Sequence, residues 1–108
     1  MDKTNEPKSK QIQVELDEQV GTGEYSNLAI VTHSPAEFVL DFTQVMPGMP
    51  KARVRARIIM APLHAKAFAM ALNENVGKYE NHFGEIQVSQ DDWAKQFGFK
   101  LPPDTVPN

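Results

Sequence analysis

The segment from Tyr25 to His33 carries apolar side chains on both faces that a β-strand would present. In an extended chain, successive side chains point to opposite faces. Leu28 and Ile30 therefore share one face, and Ala29 and Val31 share the other. A strand that is apolar on both faces is normally covered on both faces. A chain of 108 residues has room for one core, so we expect a partner subunit or the C-terminal segment to provide the second cover.

Three further segments alternate between apolar and polar residues, as half-buried strands do. They are QIQVEL at residues 11–16, a segment over Phe38–Val45, and a segment over Ala52–Met60 that has the sharpest alternation. Between the last two, Pro47-Gly48 suits the two central positions of a type II turn. Together with the strand before His33, these segments predict four antiparallel strands.

A long helix is predicted from Pro62 to about Phe83, with Gly84 at the position where helices commonly end. Its apolar residues recur at spacings of three and four and form one stripe: Ala65, Phe68, Ala69, Leu72, Val76, Tyr79 and Phe83. The expected fold is α+β, with a four-stranded antiparallel sheet, one long helix packed on one face, and a short C-terminal helix.

Composition divides the chain into three parts. Residues 1–10 are polar and patternless and predict a disordered arm, residues 11–84 form the single α+β domain, and residues 85–108 form an extension with a short helix and a proline-rich tail. There is no cysteine, which excludes disulfides and thiolate chemistry. No secretory signal or membrane-spanning run is found, so we expect a cytoplasmic protein.

The tripeptide His33-Ser34-Pro35 can be interpreted as a reactive centre or as a turn. Ser34 followed by Pro35, with Glu37 three residues after the serine, matches a capping box that begins one helical turn. A nucleophilic serine needs a base beside it, but neighbouring residues of a strand point to opposite faces. We therefore favour a structural turn.

Arg53, Arg55 and Arg57 occupy alternate positions on one face of the last strand, with Lys51 nearby. They are the best candidates for binding phosphate groups of a nucleic acid or an acidic ligand. Alternatively they pair with acids on a neighbouring strand, and a hairpin that joins Val45 to Lys51 would place Asp41 opposite Arg55. No aromatic side chains are interleaved with the arginines as stacking platforms, so we favour the paired face over nucleic acid.

Metal binding and catalysis find little support in the pattern. The three histidines, His33, His64 and His82, lack the short spacing that would place two ligands on one helix face. No glycine-rich phosphate loop is present, and the adjacent carboxylates fall in predicted loops or caps. We expect no metal, no cofactor and no enzymatic activity.

Several short motifs between Gln11 and Gly84 form a combined pattern: Tyr25-Ser26-Asn27, His33-Ser34-Pro35, Glu37-Phe38 with Leu40-Asp41-Phe42, Met46-Pro47-Gly48, and Pro62 followed by His64-Ala65-Lys66. This pattern resembles a small prokaryotic family known only as domain of unknown function three-four-six-seven. The resemblance implies a shared fold and brings no activity with it. The order of four strands and a long helix also resembles the topology of the bacterial export chaperone SecB, and fold alone does not fix function.

The strand that is apolar on both faces leads us to expect a homodimer. The candidate interface residues are Ala29, Val31, Val39 and Val45. The leading functional hypothesis is a non-enzymatic interaction module, adaptor-like or chaperone-like, that binds a protein partner. The alternative is nucleic-acid or phosphate binding through the arginine face.

Overall fold

The computed structural model describes residues 11–88. In this part of the chain a short helix is followed by three strands and a long helix: α1 (Glu18–Gly21), β1 (Leu28–His33), β2 (Phe38–Gln44), β3 (Arg53–Met60) and α2 (Pro62–Phe83). The predicted disordered arm and the predicted short C-terminal helix lie outside the described residues. The α+β class and the long helix are confirmed.

The three strands form one antiparallel sheet in the order β1-β2-β3. Val31 of β1 is opposite Leu40 of β2, which is in turn opposite Ile58 of β3. Directly opposed residues share a face, and Val31 and Leu40 line a groove with residues of α2. The helix therefore lies on this face. Asp41 and Arg57, one position along, belong to the other face.

The fourth strand predicted over residues 11–16 is not confirmed. Residues 11–17 pair with no strand in the described part of the chain. The side chains predicted to be buried are largely exposed, Ile12 at 87%, Val14 at 90% and Leu16 at 72%. Alternation identifies the face that a strand would bury, but it does not supply the partner. Residues 85–88 also pair with no strand in the described part of the chain.

The predicted pairing of Asp41 with Arg55 is wrong by two residues. Asp41 is opposite Arg57, because the connection after β2 is longer than predicted and a bulge separates the pairs of Phe42 and Thr43. From Phe38 to Phe42 the shift is two residues, which keeps side chains on their predicted faces. Asp41 is therefore still opposite an arginine, which is Arg57 in place of Arg55.

Past the bulge, at Thr43 and Gln44, the shift is one residue, which reverses the faces of Val54 and Arg53. The prediction that Arg53 and Arg57 share one face is therefore wrong.

The turn after β2 has the predicted type II geometry. The N–H of Met49 donates to the carbonyl of Met46 at 3.1 Å, and Gly48 has a φ of +77°. That dihedral is typical of the third residue of a type II turn and strongly favours glycine.

The long helix begins and ends where the sequence predicts. Pro62 occupies the first turn of the helix. Backbone N–H groups in the first turn have no intrahelical acceptor, so a proline, which has no N–H, costs no hydrogen bond there. Gly84 follows the last helical residue with a φ of +102° and donates its N–H to the Glu80 carbonyl at 2.9 Å. Within residues 11–88, no helix is both long and apolar enough to cross a membrane.

The Asn27 side chain extends the ladder between β1 and β2 beyond the end of β1. Its Nδ2 donates to the Val45 carbonyl and its Oδ1 accepts from the Val45 N–H, each at 2.8 Å. The Asn27 N–H donates to the carbonyl of Thr43 at 3.1 Å, and the Ser26 hydroxyl donates to the same carbonyl at 3.0 Å. A side-chain amide thus replaces a backbone pair and satisfies both polar groups of a buried residue.

The buried core of the described residues is small. Leu40 and Val45 are its buried apolar side chains, with exposures of 6% and 2%, and Thr43 is buried at 1%. All three belong to β2 or to the residue after it, at the centre of the sheet. The other strands and the whole of α2 are half-exposed or exposed. The apolar stripe of the helix therefore remains largely accessible to solvent.

Replacing Asn27 with alanine should lower the free energy of unfolding by about 1–3 kcal/mol, because the N–H and carbonyl of Val45 lose their partners while buried. Urea denaturation monitored by circular dichroism measures the loss. Asn75→Ala is the matched control, because the Asn75 side chain bonds only the carbonyl of Ala71 within an exposed helix. Equal effects of the two substitutions would contradict the role given to Asn27.

Candidate functional site

An open apolar groove lies between the sheet and the first half of α2. Its volume is about 500 Å³. Its lining consists of three strand residues and five helix residues: Val31, Phe38, Leu40, Pro62, Ala65, Lys66, Phe68 and Ala69. Lys66 is the one charged side chain in this lining, so the groove is suited to binding apolar groups.

The groove exists because small side chains of the helix face the sheet. Ala65 and Ala69 lie one turn apart on the apolar stripe and leave room that larger residues would fill. On the side of the sheet, Val31 is 54% exposed although it lies in the middle of β1. The groove is therefore open towards the β1 edge.

The second half of α2 continues the apolar surface away from the groove. Leu72, Tyr79 and Phe83 are all exposed, and the rings of Tyr79 and Phe83 contact each other with centroids 4.9 Å apart. The predicted stripe is thus formed, but the protomer does not bury it. Extended exposed apolar surfaces of this kind mark interaction sites.

Two of the three candidate binding arginines are paired with acids. Arg57 forms a bidentate interaction with Asp41, with Nε–Oδ1 and Nη2–Oδ2 distances of 2.7 and 2.9 Å. Arg55 donates from Nε and Nη2 to Oε1 of Glu24 at 3.1 and 2.9 Å. Arg57 thus pairs with an acid on the neighbouring strand, as the alternative prediction has it, whereas Glu24, the partner of Arg55, lies in the segment before β1.

The Asp41–Arg57 pair shifts the ionisation of both partners. Hydrogen bonds from Arg57 hold the pKa of Asp41 below its ordinary value. Partial burial opposes this shift, and the positive charge of Arg57 adds to it. The same hydrogen bonds raise the pKa of Arg57. The pair is thus a charge-assisted contact that ties β3 to β2.

Arg53 lies beside a second cavity, of about 630 Å³, at the end of the sheet. Lys51 and Arg55 contribute the other cationic side chains. The remaining lining residues are Gln44, Met46, Met49 and Ala52. Since no aromatic ring is among them, the cavity lacks a platform on which a base could stack.

The four candidate dimer-interface residues do not share one surface. Ala29 and Val31 are exposed on the helix side of the sheet, whereas Val39 belongs to the opposite face. Val45 is 2% exposed and has both backbone polar groups bonded to Asn27. The sequence did not reveal this burial, because an asparagine before a strand is more typical of a loop than of a ladder.

The segment around Ser34 forms a hairpin turn. The Ser34 hydroxyl accepts hydrogen bonds from the N–H groups of Ala36 and Glu37, both at 3.3 Å. The Ser34 N–H donates to the Glu37 carbonyl at 2.9 Å. The capping role of the serine is confirmed, but the predicted helical turn is wrong, because these residues link β1 directly to β2.

The His33 ring stacks on Phe38, the residue opposite it in β2, with centroids 5.4 Å apart. His82 contacts the ring of Phe83 edge-on at 5.3 Å. Among residues 11–88, no group of three or more histidines and carboxylates is arranged to hold a metal ion. The described histidine contacts are thus packing contacts with aromatic rings.

The Asp41–Arg57 pair should make stability depend on pH in acid. Because the pKa of Asp41 is lower in the folded protein than in the unfolded chain, its contribution is complete above the unfolded-state pKa. It is lost as the pH falls through the lower, folded-state pKa. Asp41→Asn should therefore flatten the fall in thermal midpoint between about pH 5 and about pH 2.

Glu74→Gln is the control, because Glu74 lies on the exposed surface of α2 with its carboxylate 3.8 Å from Lys78. Parallel pH profiles for wild type and Asp41→Asn would contradict the contribution given to the pair.

Comparison with known proteins identifies the family. The search of curated proteins gave no significant match, and the search of solved structures gave none either. The resemblance to SecB is therefore not shown. The family model described as "Protein of unknown function (DUF3467)" matches residues 1–88. This match covers most of the chain and includes the groove, the sheet and all of α2, so the protein belongs to the DUF3467 family.

Proposed function

We propose that the protein is a non-enzymatic, dimeric interaction module that holds an apolar segment of a protein partner, as an adaptor or a chaperone does. One observation carries the proposal: Leu40 and Val45 are the buried apolar side chains of the described residues, while a groove and a helical stripe stay open. Hydrophobic burial is the main favourable contribution to association. The free energy of the protein therefore falls when a partner covers this apolar surface and removes it from water.

Dimer formation is supported by the strands as well as by the helix. Within the described sheet, β1 is an edge strand without a charged residue or a proline, and Ala29 and Val31 are both exposed. Natural proteins normally protect such edges. A second copy that covers part of this surface would provide the missing protection.

The chemistry of the groove supports binding rather than catalysis. Apart from the amine of Lys66, its lining residues carry no group that could act as a nucleophile, an acid or a base. Apolar walls bind by burial with little dependence on sequence, which suits an adaptor or chaperone with several partners. Lys66 at the rim favours segments that carry an acidic residue beside their apolar ones.

A substitution in the groove should separate binding from folding. Ala65→Glu places a carboxylate among apolar walls and should weaken the binding of a permanently unfolded, reduced and alkylated protein by about ten-fold or more. Fluorescence anisotropy of the labelled unfolded protein measures this affinity. Ala67→Glu is the matched control: Ala67 is exposed and lies two positions along the same helix, about 200° around its axis.

Equal binding by the two variants would refute the groove as the binding site, provided that circular dichroism shows both to be folded. Failure of the wild type to bind any unfolded protein would refute the adaptor or chaperone role.

Phosphate or nucleic-acid binding is the alternative function. It is favoured by one observation: Lys51, Arg53 and Arg55 lie around the same cavity. The pairing of Arg55 with Glu24 and the absence of stacking rings from that cavity argue against it.

We therefore expect no binding to short single-stranded DNA or RNA at about 150 mM salt. The alternative would replace the adaptor hypothesis if binding were observed, weakened steeply with salt, and were lost in Arg53→Ala. Gel-shift titration across a salt series measures the affinity and its dependence on salt.

A further inference from the structure

The chain turns back beside α2 after the helix ends. Gly84 has a φ of +102°, and the N–H of Ile86 donates to the carboxylate of Glu80 at 2.9 Å. Side chains of a helix lean towards its N-terminus, so a residue bonded to the Glu80 side chain lies beside the helix rather than beyond its end. The path from Gly84 to Ile86 therefore runs back along α2, in the direction of the groove.

This return path lies on the side of α2 that faces the groove. Glu80 follows Ala69 by about three helical turns and Pro62 by about five, so the three residues lie close to one line along the helix. Ala69 and Pro62 both line the groove. In the second half of α2, the half-buried residues are Val76, Gly77 and Glu80, which surround the same line. The chain thus returns along the face of the helix that leads into the groove.

The sequence after the described residues supplies apolar side chains for the groove. Its large apolar residues closest to Val88 are Trp93, Phe97, Phe99 and Leu101. Trp93 and Phe97 are four positions apart, so they share one face of the short helix that the sequence predicts there. The groove volume of about 500 Å³ is in the range of pockets that enclose drug-sized groups, and a pair of aromatic side chains is of that size.

The charges of this segment also match the groove. Asp91 and Asp92 directly precede Trp93, and Lys66 is the one charged residue of the groove lining. An apolar residue beside acidic ones is the kind of sequence that a groove with a lysine in its lining favours.

The chain is long enough to make this contact within one protomer. Glu80 lies about 18 Å from Phe68 along the helix axis. Trp93 follows Ile86 by seven residues, and an extended chain of that length spans about 23 Å. Trp93 can therefore reach the groove while Ile86 stays bonded to Glu80.

We infer that residues 89–101 bind in the groove of their own chain, with Trp93 and Phe97 against Ala65 and Ala69. The segment covers Val31, which is 54% exposed in the described part of the chain. A regulatory consequence, which rests on the proposed function, is that this segment competes with a partner. The partner's apolar segment must displace it before binding.

The fluorescence of Trp93 tests this occupancy, because the chain has one tryptophan. In the full chain, its emission should be blue-shifted, and acrylamide should quench it several-fold more weakly than in the urea-unfolded protein. Ala65→Glu places a carboxylate in the groove and should shift the emission towards that of the unfolded protein. Ala67→Glu is the matched control and should leave the emission unchanged, because Ala67 lies on the other side of α2. Circular dichroism checks that both variants are folded.

Engineered cysteines show which chain fills the groove, because the protein has no cysteine of its own. Lys66→Cys combined with Gln96→Cys leaves both aromatic residues in place. A short bifunctional maleimide should link these two cysteines within one chain, which remains monomeric on a denaturing gel. Lys78→Cys combined with Gln96→Cys is the control and should not be linked, because Lys78 is exposed on the side of α2 away from the groove.

Competition predicts that release of the segment strengthens partner binding. Trp93→Ala should raise the affinity of the full chain for the reduced and alkylated unfolded protein several-fold, because a larger fraction of the molecules then has an open groove. Gln96→Ala should leave the affinity unchanged. Fluorescence anisotropy measures both affinities.

Each outcome decides between specific alternatives. A Trp93 that is quenched as strongly as in urea, or that stays shielded in a folded Ala65→Glu variant, would overturn the occupancy of the groove. Crosslinks between chains would assign the segment to a second copy and overturn binding within one chain. If the wild type binds unfolded protein and Trp93→Ala binds it equally well, the competition is wrong. A wild type that binds no unfolded protein, with Trp93 shielded until Ala65→Glu releases it, would refute the adaptor or chaperone role and support the occupancy.

Discussion

The constraint on which this structure depends is the small amount of apolar surface that the described chain can bury by itself. One three-stranded sheet and one helix have a single interface between them, and small alanines of α2 leave part of it open as a groove. Burial is accordingly concentrated in β2, the central strand, around Leu40 and Thr43. Among the described residues, the edge strands and the distal half of α2 stay largely exposed. This exposed apolar surface is the observation on which the proposal of association rests.

Polar contacts hold the sheet in register where the core does not. The Asn27 side chain forms hydrogen bonds with the N–H and the carbonyl of Val45. The guanidinium of Arg57 donates two hydrogen bonds to the carboxylate of Asp41. These contacts tie β1 to β2 and β2 to β3, respectively. They are directional, whereas hydrophobic burial is not. A thin sheet can thus keep a defined shape, and a defined groove, while its apolar surface stays exposed.

Local features of the fold could be predicted from the sequence because their causes are local. Pro62 and Gly84 set the ends of α2, and Pro47-Gly48 set the type II turn through backbone dihedrals alone. Long-range features could not be predicted in the same way. The bulge next to Thr43 shifts the register by one residue, and the burial of Val45 depends on a side chain far away in sequence. Nor does an alternating segment such as residues 11–16 specify which edge it pairs with. The groove could not be predicted because it is a gap between the sheet and α2. The residue pattern of one element does not show how it packs against another.

Because folding and association are coupled in this account, stability should depend on protein concentration. The most direct measurement is the thermal midpoint of the full chain, followed by circular dichroism over about a hundred-fold range of concentration. If the protein associates as proposed, the midpoint should rise by several degrees as the protein becomes more concentrated, because mass action favours the associated, folded state. A midpoint that does not change with concentration, together with a cooperative transition, would show that a single copy is stable alone and would contradict the coupling of folding to association.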